Sequence, residues 1–120
     1  MIGRISEHRQ FERLTHDGRR ARSAHLWCRY LDDPDVVPPR VAFAIGRAVG
    51  GAVTRNRLRR RLRELLRAAV VSDPPRLVRG QLLIGVRPPA AELSFGALSG
   101  ELDSLLRALR ASSRTAVLPS

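Results

Sequence analysis

Apolar positions follow two rhythms along this chain. From about residue 53 to 71 they keep a helical period. At about 100° per residue, Leu58, Leu62, Leu65, Leu66 and Ala69 fall on one stripe about 100° wide. A second helical stripe, Leu98, Leu102, Leu105, Leu106 and Leu109, predicts a helix over 94–111. Three other segments read as strands. In HLWCRYL (25–31), Leu26, Cys28 and Tyr30 share one face, and Trp27, Arg29 and Leu31 the other. In RVAFAI (40–45), Val41, Phe43 and Ile45 oppose small alanines. QLLIGV (81–86) is mostly apolar, as in a strand buried on both faces. A short helix is predicted over 6–16, with Ser6 as N-cap, Phe11 and Leu14 on one face and Asp17-Gly18 as the stop. Breakers fall between these elements: three prolines within 32–39, the glycines of 46–51, Ser72-Asp73-Pro74-Pro75, and Arg87-Pro88-Pro89. Arg19, Arg20 and Arg22 read as a basic connection.

The predicted order is helix, two or three strands, helix, strand, helix. It describes an α/β (α+β) two-layer sandwich in which helices cover one small mixed sheet. The strands on either side of the middle helix would pair in parallel across a βαβ crossover, for which base rates favour a right hand. The chain has 120 residues, so one domain over 1–111 with a flexible tail at 112–120 is expected.

Charge changes the picture most. The 22 basic residues are all arginine, against 11 acidic residues, for a formal net charge of +11. Such an excess points to a polyanionic partner. Aromatic residues are only 4%, too few for a binder built on many stacking platforms. A single cysteine, Cys28, excludes an internal disulfide. The N-terminal stretch carries no apolar signal core and no run approaches a membrane span, so a cytoplasmic location without membrane association is expected.

Six arginines lie between Arg55 and Arg63. On the helical wheel, Arg59, Arg60, Arg63 and Arg67 share the face opposite the leucine stripe. Like charges so close destabilise a helix unless anions neutralise them. Guanidinium forks bind phosphate oxygens in pairs, and the glycine-rich entry at 50–51 leaves helix N–H groups for an anion.

The full string over 46–64, GRAVGGAVTRNRLRRRLRE, resembles the bacterial ribonuclease P protein family. Arg55-Asn56-Arg57 matches the family's Arg-Asn-Arg helix, and Arg59, Arg60 and Arg63 match its basic positions. The preceding strand RVAFAI also corresponds. So do the N-terminal helix with Phe11, the Pro-rich loop, the strand ending in Arg87-Pro88-Pro89 and the last amphipathic helix. The resemblance covers 5–109. It implies a left-handed βαβ crossover, against the base rate. It implies a small subunit whose partners are ribonuclease P RNA and precursor tRNA, with no further protein partner required. The RNA subunit would hold the catalytic centre and the Mg²⁺ ions, so no catalytic residue falls on this chain. The protein would help bind the 5′ leader of the precursor, so that a mature tRNA 5′ end results. Carried over position by position, the RNA-facing residues are Arg47, Arg55, Asn56, Arg57, Arg59, Arg60 and Arg63. The leader cleft takes Phe11, Trp27, Arg29 and Arg87. Four positions depart from the family pattern: Thr15 and Arg29 stand where aromatics are usual, Ala48 follows Arg47 in place of a second basic residue, and Gly51 replaces a frequent Asn.

Other residues read as structural. His8, His16 and His25 lack zinc-site spacing and read as surface histidines. Cys28 reads as a buried inert thiol, and Asp32, Asp33 and Asp35 as a solvated loop. Trp27 fits a core position as well as a leader contact. Two further readings stand beside the family one: a general RNA-binding protein of ribosomal or chaperone type, and a peripheral membrane protein. The second fits poorly, because the apolar stripe of the arginine helix is needed for the core.

Overall fold

The computed structural model describes residues 3–4 and 18–117, with side chains over 18–110. The helix expected at 6–16, Phe11, His8 and His16 lie outside the described residues. Five strands form one mixed sheet: β1 (Gly3–Arg4), β2 (Arg19–Arg22), β3 (Leu26–Leu31), β4 (Arg40–Ala44) and β5 (Gln81–Val86), in the spatial order β1-β4-β5-β3-β2. β4 and β5 are parallel, and the chain between them forms the long helix α1 (Ala52–Val71). β3 runs antiparallel to β5 and to β2, and β1 runs parallel to β4. The last helix, α2, spans Phe95–Val117, past the expected boundary at 111.

Register explains the layering. Cys28, Ile84 and Phe43 form one row across β3, β5 and β4, and Tyr30, Leu82 and Val41 form the next. These side chains share one sheet face by strand alternation. The stripes of α1 (Leu58, Leu62, Leu66, Ala69) and α2 (Leu98, Leu102, Leu105, Leu106, Leu109) cover that face as a single core. Ser94 starts α2 by accepting the Ala97 N–H at 3.1 Å. Leu62 is fully buried. Leu62→Ala should lower unfolding stability by about 2–5 kcal/mol, from lost transfer energy and the cavity left behind. Urea unfolding monitored by circular dichroism checks this.

One expectation is corrected. Arg19–Arg22 is a strand, because its backbone pairs with β3 from Arg19↔Tyr30 to Arg22↔Trp27. RRAR has no apolar alternation, and backbone pairing alone makes it a strand. As a short, charged edge strand it also resists pairing with other chains. The glycine-rich connection contains a 3₁₀ turn at Arg47–Val49, closed by Val49 N–H to Gly46 C=O and Gly50 N–H to Arg47 C=O, both at 3.1 Å.

Glu101 clamps α2 to the β2–β3 turn. Its Oε1 accepts Ser23 Oγ–H at 2.5 Å and the His25 backbone N–H at 2.7 Å, and its Oε2 lies 2.5 Å from His25 Nδ1. His25, expected as a plain surface histidine, is therefore part of this clamp. Burial pushes the Glu101 carboxyl up, but the Ser23 and His25 hydrogen bonds outweigh it and hold the group below its ordinary value of 4.5. The stabilisation is complete above that ordinary value and is lost as pH falls through the lower folded value. Glu101→Ala should cost about 2 kcal/mol at neutral pH and should flatten the fall in melting temperature below about pH 4.5. Melting curves from pH 3 to 7 test both.

Candidate nucleic-acid interface

α1 sorts its arginines by angle. Arg55 lies three residues before Leu58, hence on the stripe side. It is half-buried, and its Nε is buried without a hydrogen-bond partner. Asn56, Arg59, Arg60, Arg63 and Arg67, with Glu64, line one groove of about 510 Å³ on the outer side of the helix. Arg57 and Arg47 are exposed outside that lining. The groove thus gathers Asn56, Arg59, Arg60 and Arg63 and adds Arg67, which the family positions did not include but the wheel did.

Two intramolecular contacts order these side chains. Arg59 Nη1 donates to Asn56 Oδ1 at 2.9 Å. Arg63 lies over the Phe43 ring, 5.7 Å from its centroid. Asn56 therefore orients its neighbour, and β4 supplies a platform for Arg63. Helix entry adds to the positive field. Gly51 caps α1 with no side-chain acceptor, and the first turn contains no acidic residue. Gly50 precedes it at φ 152°, a conformation that L side chains rarely adopt.

The second arginine-rich surface lies on the opposite sheet face. By alternation Trp27 and Arg29 of β3 point away from the helices, and Trp27 is half-buried outside the core. Arg22 pairs with Trp27 and Arg20 with Arg29 across the β2–β3 ladder. These four residues and Arg87 line a groove of about 420 Å³. Three of the leader-cleft residues, Trp27, Arg29 and Arg87, thus come together. Arg20 and Arg22 join them, unassigned in the sequence because their segment looked like a connection.

Gly85 shapes this groove. It pairs with Trp27 across the ladder, and a methyl group built on it would overlap the indole. The absent side chain lets the ring lie against the strand. Gln81, also on this face, is buried, and its Oε1 has no hydrogen-bond partner.

Cys28 and the Asp32–Asp35 loop are engaged in the structure itself. Burial pushes the Cys28 thiol up to about 11, against a smaller opposing effect of a backbone hydrogen bond with Ala21, so the nucleophilic thiolate is scarce at neutral pH. Asp32 is committed to Arg79 at 2.8 Å. Asp33 accepts the Asp35 N–H at 3.0 Å. No cluster of three or more potential metal ligands occurs among the described residues. No helix among them is long and apolar enough to cross a membrane.

The family model described as Ribonuclease P matches residues 3–110. The chain belongs to the ribonuclease P protein family. A ribonuclease P protein component from Thermobifida fusca is 39% identical over 113 residues, covering 88% of this chain and 75% of that protein. One from Acidothermus cellulolyticus is 37% identical over 105 residues, covering 86% and 84%. Among solved structures, the Staphylococcus aureus RNase P protein superposes with a TM-score of 0.76 at 18% identity, over 88% of this chain and 93% of that one. The Thermotoga maritima RNase P protein gives 0.72 at 19% identity, over 87% and 96%. The fold is shared despite that low identity. Family membership makes this chain the protein component of an endoribonuclease holoenzyme of tRNA 5′-end processing, associated with ribonuclease P RNA.

Proposed function

We propose that this ribonuclease P protein holds two RNA segments at once, the catalytic RNA on α1 and the 5′ leader of precursor tRNA on the sheet face turned away from α1 and α2. The observation that carries this reading is the placement of the two grooves on opposite sides of one sheet. The Asn56–Arg67 groove belongs to the helix layer, and the Trp27 groove to the sheet face turned away from α1 and α2. One short strand cannot fill both, so a body with two grooves is suited to bring two RNAs into register.

On α1, Arg59, Arg60 and Arg63 neutralise phosphates and release counterions, with Asn56 keeping Arg59 in place. Arg47, Arg55 and Arg57 flank the groove and extend the positive field. On the sheet, the Trp27 indole offers a face to an unpaired base, while Arg20, Arg22, Arg29 and Arg87 surround the backbone. An arginine at position 29 makes this contact more electrostatic than an aromatic would. Mg²⁺ belongs to the RNA subunit. Glu64 is the one carboxylate lining the α1 groove, and a hard cation requires several oxygen ligands.

The test is precursor-tRNA cleavage by the cognate ribonuclease P RNA at low Mg²⁺, with and without this protein. One substrate carries a long 5′ leader and the other a single leader nucleotide. The expected result is stimulation that is larger for the long leader. RNA binding without any stimulation would reassign the protein as a general RNA binder of ribosomal or chaperone type.

A further inference from the structure

A third cleft, of about 690 Å³, lies at the far end of the helix layer from the α1 entry, between the connection from α1 to β5 and the C-terminal half of α2. About 20 Å of helix, at about 1.5 Å per residue, separates Arg59 from the residues that follow α1. Four guanidiniums ring the cleft: Arg19, Arg76, Arg79 and Arg110. Val78, exposed, and Leu109 contribute to an apolar lining.

The four arginines are not equivalent. Arg76 pairs with Asp103. Arg79 donates from Nε to Asp32 Oδ1 at 2.8 Å, and its backbone carbonyl accepts the Tyr30 hydroxyl at 2.5 Å. Burial first, and the charge of Asp32 second, push Tyr30 up to about 12, so it stays protonated for that bond. These contacts fix the walls. Arg19 lies over the Tyr30 ring, 5.2 Å from its centroid, near enough to Asp32 to act on its charge but in no ion pair with a carboxylate among the described residues. Arg110 is exposed and makes no ion pair among the described residues. Arg19 and Arg110 are therefore left without an ion pair among the described residues, beside an apolar surface and in a volume that suits a nucleotide.

We infer that this cleft is a second docking site for the ribonuclease P RNA, taking an unpaired nucleotide whose flanking phosphates meet Arg19 and Arg110. Charge complementarity selects a phosphodiester strand. Position selects the RNA subunit over the leader, because the cleft lies in the helix layer with α1 and the leader groove lies on the other sheet face. The inference rests on the RNA subunit being this chain's partner.

The test compares the wild-type protein with Arg110→Ala, Arg19→Ala/Arg110→Ala, Val78→Asp and Arg59→Ala/Arg63→Ala. Affinity for ribonuclease P RNA is measured against salt, and each assembled holoenzyme is footprinted with hydroxyl radicals. Arg110→Ala removes no contact among the described residues, so its fold is expected to be intact. The Arg19/Arg110 variant should flatten the log Kd–log salt slope by about 1.4–1.8, at about 0.7–0.9 per phosphate. Arg110→Ala alone should give about half of that. Protection should be lost on an RNA segment distinct from the one exposed by the Arg59/Arg63 variant, and Val78→Asp should expose the same segment as Arg110→Ala. Discrimination between long and short leaders should be unchanged. A wild-type slope and footprint in the Arg19/Arg110 variant would overturn the proposal. So would lost leader discrimination with unchanged RNA affinity, or unchanged RNA affinity with loss of binding to a poly-glutamate peptide. Wild-type protein that fails to bind the RNA overturns the partner assignment as well, which separates the two failures.

Discussion

Replacing Arg59, Arg60 and Arg63 together by alanine should flatten the salt dependence of RNA binding by about 2–2.7 log units per log unit of salt. Each lost phosphate contact removes about 0.7–0.9 from the slope. Between 50 and 200 mM salt, the wild-type protein should lose about 20–40-fold more affinity than the variant. Arg59 and Arg60 lie off the core stripe of α1 and Arg63 gives up only its contact with the Phe43 ring, so the melting temperature should fall only modestly. Arg107→Ala, at an exposed position of α2 outside all three grooves, is the control and should leave the slope unchanged. Asn56→Ala should show a smaller version of the Arg59 effect, because it frees the guanidinium that Asn56 holds. Filter binding with ribonuclease P RNA across a salt series measures all of these. A triple variant with the wild-type slope would take α1 out of the phosphate interface.

Gly85→Ala should be the most damaging single methyl on the sheet face turned away from α1 and α2. The added carbon falls inside the Trp27 indole, so the ring must leave its seat on β5. Overpacking of this kind costs about 1–3 kcal/mol. Trp27→Ala should relieve the clash. In a double-mutant cycle the two changes should couple by about 1–3 kcal/mol, the double variant being more stable than the sum of the singles predicts. Functionally, each single change should reduce leader-dependent stimulation, since both remove the seated indole. Strictly additive stabilities in chemical unfolding would show that the ring does not occupy the space above Gly85.

The covered face of the sandwich was legible from periodicity. Stripes on α1 and α2 and the alternation in β3 and β4 name 13 of the 19 buried core residues, because burial against one layer imposes the same period on sequence and structure. β5 was legible as a strand buried on both faces, and its burial bears this out, but what lies against its second face was not. Its second face carries Gln81, Leu83 and Gly85, whose roles depend on what lies across the ladder. β2 was illegible, since RRAR acquires its conformation from hydrogen bonds to a neighbour. The α1 part of the candidate site was legible down to single residues, because a helix converts spacing into a face. The sheet groove was only half legible. Arg20 and Arg22 enter it through strand pairing, and Trp27 is placed on the sheet face away from α1 and α2 by its position in β3.

The amino-acid sequence by itself determined the charge, the amphipathic helices, the arginine face and the family, since these depend on composition and local period. Only the tertiary structure decided that Trp27 lies over Gly85 on the sheet face away from α1 and α2, that a basic segment pairs as a strand beside β3, and that Arg19 and Arg110 meet across one cleft. Those facts join residues far apart in the chain, and such juxtapositions are set by strand register and layer packing, which no local pattern encodes.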